Sequence, residues 1–215
     1  MDMNVMGLYS ALCFFLLGLC AGRFVNTFIY RIPLGEFFTG IVWSCAYLSL
    51  GFSLYLVLFC LFSSALILAA GIDRKHLYIP DRIPAFITVL ALISIVWGSK
   101  TSVFYSPRLA SRLLGGGVIS LFMLAVSAVS HGGIGGGDIK LLAASGLFLG
   151  FSRNLAGFFL AYILAGLFYL IPFIRGTISR KSAVPMAPFF AVSLILTGLW
   201  GHPLLSWYFH LVSTY

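Results

Sequence analysis

Apolar residues run through this chain in long stretches, and polar residues collect in short clusters between them. The first stretch covers about residues 5 to 30 and is stopped by Ile32-Pro33. The next, 37 to 72, is too long for one crossing of a bilayer, which takes about 20 apolar residues. It is interrupted at Leu50-Gly51-Phe52-Ser53, so the pattern predicts a helical hairpin with a tight turn there. Further apolar stretches span about 83 to 97, 113 to 130, 139 to 151 and 155 to 174. A last one follows Ala183-Val184-Pro185-Met186-Ala187-Pro188 and ends near Trp200. The expected fold is an all-α polytopic membrane protein: one bundle of about eight transmembrane helices, some short, forming a single domain over residues 1–215. No period of 20 to 50 residues repeats, so no solenoid is indicated.

Composition agrees. The 215 residues are 61% hydrophobic and 8% charged, and the mean hydropathy is +1.08, far too little charge for a soluble domain. A net charge of +8 would suit nucleic acid, but the 13 Lys and Arg residues are scattered between apolar runs and form no basic face. Lipid headgroups explain them better, so the expected partner surface is the bilayer and not nucleic acid. The N-terminal run begins with Asp2 and has no basic region before it, and Leu19 precedes Cys20. It therefore reads as a first span, not a cleavable signal. Cys13, Cys20, Cys45 and Cys60 lie inside apolar runs without a CxxC pair, so they read as small buried hydrophobes, and no metal site is expected.

The acids are few: Asp2, Glu36, Asp73, Asp81 and Asp138. Glu36 suits the start of a helix, where a carboxylate meets free N–H groups. Two polar loops carry Asp73, Asp81 and Asp138. One runs from Gly71 to Arg82 and holds Asp73, His76, Pro80 and Asp81. The other is His131-Gly132-Gly133-Ile134-Gly135-Gly136-Gly137-Asp138-Ile139-Lys140, in which glycines let the backbone fold tightly and let a second chain lie close. With eight spans and the N-terminus outside, Arg23, Arg31, Arg74, Lys75, Arg82, Lys140, Arg175, Arg180 and Lys181 fall inside. Lys100, Arg108, Arg112 and Arg153 fall outside. That nine-to-four bias follows the positive-inside rule and puts Asp73, Asp81 and Asp138 together at the cytoplasmic face.

Two carboxylates a few ångströms apart cannot both ionise easily; they share a proton, and such a pair activates water while protonating a carbonyl. Asp73 ends one helix and Asp138 begins another, so the helix dipoles alone make Asp138 the base and Asp73 the acid. None of His76, His131, His202 and His210 has a Cys, Asp or Glu at metal-ligand spacing; they read as interfacial, with His76 and His131 placed to tune the carboxylates. A transporter is the rival from another class, with the aspartates carrying ions. Such a path calls for an ionisable group near mid-bilayer, and every span is free of acids from end to end. An inactive assembly subunit is the third alternative.

Asp73 followed by Ile79-Pro80-Asp81, and Gly135-Gly136-Gly137-Asp138 followed by Ile139-Lys140-Leu141-Leu142, resemble the two active-site motifs of the type IV prepilin peptidases, the GxGD membrane aspartyl proteases. Gly22-Arg23-Phe24-Val25-Asn26 with Tyr30-Arg31-Ile32-Pro33 is similar to that family's N-terminal signature. Glu36-Phe37-Phe38-Thr39-Gly40 is similar to its next span, and Val184-Pro185-Met186-Ala187-Pro188-Phe189 to its late Pro-Phe motif. The resemblance covers nearly the whole chain in order. It implies that Asp73 and Asp138 are the catalytic pair, with Gly135, Gly136, Gly137, Lys140, Asn26, Pro80 and Asp81 binding substrate or supporting the site. Asp81 is then a helix-start cap. The resemblance also implies a prepilin or pseudopilin substrate, with a short basic leader, a glycine before the cut and an apolar helix after it. Cleavage would occur at the cytoplasmic face of a bacterial inner membrane, without a cofactor. Many members carry an insert with two CxxC pairs before the second span. Here only Pro33, Leu34 and Gly35 separate Ile32 from Glu36. The chain resembles a short form, which leaves the N-methyltransferase activity of longer members as an alternative second function.

Overall fold

A computed structural model describes residues 2–28, 35–98, 108–130, 133–177 and 184–213. Tyr30, Arg31, Ile32, Pro33, Lys100, His131, Gly132, Arg180, Lys181 and Ala183 lie outside the described residues. Eight helices follow one another: α1 (Asp2–Phe28), α2 (Gly35–Leu50), α3 (Leu54–His76), α4 (Arg82–Gly98), α5 (Leu109–Val129), α6 (Gly136–Leu149), α7 (Phe151–Ile174) and α8 (Ala187–Ser213). There is no strand among the described residues. Gly7–Phe24 of α1, α3, α5 and α7 are long and apolar enough to cross a membrane, and Arg82–Trp97 and Ala187–Gly201 form two shorter apolar segments. The remaining two, α2 with 16 residues and α6 with 14, rise about 24 and about 21 Å at 1.5 Å per residue.

The punctuation seen in the sequence has local causes. Gly51 adopts φ 63°, a left-handed conformation open to glycine. Ser53 then caps α3 by accepting the Leu56 N–H at 3.2 Å. The far end of α3 is closed by Leu77, itself left-handed at φ 53° and ψ 37°, whose N–H donates to Asp73 O at 2.8 Å. The turn between α6 and α7 is made by Gly150, at φ 82°. The apolar stretches read from the sequence, 139 to 151 and 155 to 174, leave Arg153 and Asn154 in the break between them as its turn. Both instead belong to α7, because Gly150 alone reverses the chain.

Packing places four helices at the centre. Residues of α3, α4, α6 and α8 dominate the buried cluster, including Phe59, Phe62, Leu66, Ile87, Leu141, Phe148, Phe190 and Leu194. The rings of Phe62 and Phe148 stack at 4.5 Å, and Tyr55 stacks on Phe148 at 5.7 Å. Lipid is as apolar as leucine, so close packing and hydrogen bonds, not water exclusion, hold such helices together. On α1, Gly18 and Gly22 lie so near α2 that an added Cβ would sit 2.8 Å from Gly40 Cα or Glu36 Cα. Ala11 is also buried and Phe14 stacks on Tyr47 at 4.9 Å, while Leu8, Leu12, Leu16 and Leu17 face outward. Cys13 and Cys20 are exposed and Cys45 half-buried; only Cys60 is buried as the sequence reading expected of all four. An apolar environment removes the penalty that would drive the thiols inward.

Two polar side chains within the bundle are held by several hydrogen bonds each. Asn154 donates to Gly115 O and Leu142 O, both at 3.0 Å, and accepts from Ser145 Oγ at 3.1 Å. Arg112 had been assigned to a polar outer stretch. It instead lies inside α5, is 1% exposed, and donates to Ser94 Oγ at 2.5 Å and Leu147 O at 3.1 Å. The last helix also exceeds the expected end near Trp200 and continues to Ser213.

Candidate active site

The last turn of α3, the first turn of α6 and the segment before α8 meet in the bundle. There a cavity of about 760 Å³ opens, lined by both Asp73 and Asp138. Apart from the backbone of Gly133 and Gly135, its wall is largely apolar: Leu77, Phe122, Met123, Val126, Ile134, Phe158, Phe159, Tyr162, Val184 and Met186. Two carboxylates that are 65 positions apart in the chain thus face one hydrophobic space.

Asp73 stands in the last turn of α3 and is 6% exposed. Its Oδ2 accepts the backbone N–H of Ala187, the first residue of α8, at 2.9 Å. Met186, just before it, accepts from Phe189 N and Phe190 N and so closes the first turn of α8. This contact bridges 114 residues. The helix-dipole argument from sequence, which gave the favourable helix start to Asp138 alone, therefore fails. Asp73 ends its own helix but receives the amide end of another.

Asp138 stands in the first turn of α6, outside the six apolar segments described above, and is half-buried. The N-cap of α6 is Gly135, which offers no side-chain hydrogen bond. Among the described residues no donor reaches the Asp138 carboxylate. Burial first, and then the neighbouring charge of Asp73, push the Asp138 carboxyl up to about 7.

The glycines differ in their reasons. None of Gly135, Gly136 and Gly137 has a positive φ. An added Cβ on Gly137 would lie 2.9 Å from Ile79 Cβ, so this glycine lets the start of α6 press against the loop before α4. On Gly135 it would lie 3.3 Å from Asp138 Oδ2. On Gly136 it would meet nothing within 4 Å. Close approach of a second segment thus holds at Gly137 alone; at Gly135 the near group is the Asp138 carboxylate of the same segment. From α5, Ser127 Oγ donates to Ile134 O at 3.3 Å, and the Gly133 N–H donates to Ser130 Oγ at 3.2 Å, fixing the loop's entry.

The supporting residues separate into two groups. Lys140 pairs with Asp81 at 2.7 and 2.8 Å across the starts of α6 and α4, with both side chains exposed. Asp81, expected as a helix cap, spends its carboxylate on that ion pair instead, because α6 brings a cation within reach. Asn26 donates to Glu36 Oε1 at 3.3 Å and so ties the end of α1 to the first turn of α2. Asn26, Pro80, Asp81 and Lys140 do not line the cavity. What the sequence reading missed is the cavity wall, above all Tyr162, and the α8 amide. An aromatic residue inside an apolar run carries no signal of its own, and a backbone N–H has none.

Helices of this apolarity around a carboxylate-lined cavity define a polytopic membrane protein with a candidate site in its bundle. Residues 60–171 match the family model described as the type IV leader peptidase family. The chain is 32% identical over 180 residues to a prepilin leader peptidase/N-methyltransferase of Bacillus subtilis (strain 168), covering 83% of this chain and 70% of that protein. It is 28% identical to a protein of the same name from Legionella pneumophila, covering 85% of this chain and 63% of the relative. With the one from Xanthomonas campestris pv. campestris it shares 26% identity over 83% of this chain and 62% of the relative. The chain belongs to the type IV leader peptidase family. It spans about two thirds of the length of these relatives. No solved structure gives a significant match.

Proposed function

We propose that this chain is an aspartic endopeptidase that removes the leader of a type IV prepilin or pseudopilin, with Asp73 and Asp138 as its catalytic pair. One observation carries this reading: the carboxylates of two remote segments, Asp73 buried and Asp138 half-buried, line a single, otherwise largely apolar cavity. A shared proton leaves one carboxylate to accept a proton from water and the other to polarise the scissile carbonyl. Neither step calls for a metal. The names of the three relatives, all prepilin leader peptidase/N-methyltransferases, support the substrate class.

The apolar wall of Phe122, Met123, Val126, Phe158 and Phe159 suits the hydrophobic helix that follows the cut in such a substrate. The leader, being basic, stays at the boundary. The chain works as a multi-pass protein of the bacterial inner membrane with the site at the cytoplasmic face, which the distribution of Lys and Arg supports. The three-residue link between Ile32 and Glu36 leaves no room for the CxxC insert, so the mature N-terminus is released unmethylated.

Co-expression with a reporter prepilin tests the proposal. The precursor is cut in the presence of the native chain and persists with Asp73→Asn or Asp138→Asn, while each variant accumulates in the membrane. Processing that survives both substitutions would end the aspartic reading and reopen that of a transporter or inactive subunit. Mass spectrometry of the new N-terminus reports the cut position and any added methyl group together.

A further inference from the structure

The two aspartates are not equivalent, and the difference comes from a third segment. Ala187 opens α8, so its N–H is one of the amides that a helix cannot satisfy internally. It is fully buried, and it donates to Asp73 Oδ2 at 2.9 Å. A hydrogen bond from an amide at the positive end of a helix favours the ionised carboxylate. Asp138, across the cavity, receives no such donor among the described residues.

The charged and titratable groups around the pair do not offset this. Asp73 faces Asp138 on α6 and Tyr169 on α7, with Arg74 beside it on α3. Asp138 faces Asp73 on α3 and Tyr162 on α7. Lys140, two residues along α6, is turned to Asp81.

We propose that the amide end of α8 divides the labour of the pair: the Ala187 N–H holds Asp73 as the ionised general base and leaves Asp138 to carry the shared proton as general acid. This rests on the aspartic reading above and assigns Ala187 as a positioning residue. In the forward step Asp73 takes a proton from water, the water oxygen bonds to the carbonyl carbon, and Asp138 gives its proton to the carbonyl oxygen. In the second step the C–N bond breaks. Asp73 passes its proton to the leaving nitrogen, and Asp138 recovers one from the diol, so the pair returns to its starting state with one water consumed. The assignment reverses the one drawn from helix position in the sequence.

Replacing Ala187 with lactic acid, which turns its amide into an ester, deletes this one donor and keeps the side chain. Cleavage of a purified reporter prepilin by the full chain in vesicles is then followed across pH. The acidic limb of kcat/KM reports the base of the free enzyme. The ester should move that limb up by about one pH unit and lower kcat/KM by about tenfold, the loss of a hydrogen bond to a charged group. Ala187→Gly, which keeps the N–H, should leave the limb in place. Infrared difference spectra of the native chain, read against Asp73→Asn and Asp138→Asn, should show Asp73 ionising before Asp138. An unmoved acidic limb, or Asp138 ionising first, overturns the assignment while the aspartic mechanism stands. Activity persisting in both Asp→Asn variants overturns the mechanism itself.

Discussion

Gly136 and Gly137 are neighbours at the start of α6, and the structure predicts opposite fates for them. A methyl group on Gly137 would begin 2.9 Å from Ile79 Cβ. Carbon atoms in contact prefer about 3.5 to 4.0 Å, so the loop before α4 and the start of α6 must separate by roughly 0.6 to 1.1 Å. Ile79 is buried and its neighbour Ile83 is part of the core, so little give is available. Overpacking of that kind costs about 1 to 3 kcal/mol. Its larger consequence is catalytic, because Asp138 follows Gly137 directly, and a misplacement of about 1 Å can lower a rate about a hundredfold. A methyl group on Gly136 meets nothing within 4 Å, and Gly136 opens α6 without a positive φ. Alanine there should be neutral or stabilising by up to about 1 kcal/mol. The assay is kcat/KM for reporter cleavage by each purified variant, with thermal unfolding in detergent alongside. Gly137→Ala should lose about a hundredfold in rate and some stability, and Gly136→Ala neither. Native turnover in Gly137→Ala, or the greater loss in Gly136→Ala, would refute the close-approach argument.

Because the Asp138 carboxyl is pushed up to about 7, it stays protonated below that pH and ionises above it. The singly protonated pair is therefore lost as pH rises, and kcat/KM should fall above pH of about 7; a rate still flat two units higher would count against it. The ion pair of Lys140 and Asp81 is exposed on both sides, so Lys140→Gln and Asp81→Asn should couple by less than about 1 kcal/mol in a double-mutant cycle of thermal stability. Asn154→Ala strips a donor from Gly115 O and Leu142 O in the bundle interior. It should cost about 1 to 3 kcal/mol in unfolding measurements while leaving the pH profile unchanged, since the network lies away from the cavity wall.

Apolar run length and its interruptions determined the helices of this protein, because a bilayer forces each segment to satisfy its own backbone. The hairpin break at Gly51, the short α6 and the two aspartate loops were all legible on that basis. A count of alternating spans then predicted the loops at one face without any knowledge of packing. Which side chains face one another was not legible. The sequence reading placed Arg112 and Arg153 in polar turns, yet Gly150 alone makes the reversal and Arg112 goes inside. In lipid, apolarity does not mark the inward face of a helix, so α1 could present Cys13 and Cys20 outward with no trace in the pattern. The division between Asp73 and Asp138 was the least accessible feature. It depends on a backbone N–H delivered from 114 residues away, and an amide carries no side-chain identity by which a sequence could announce it.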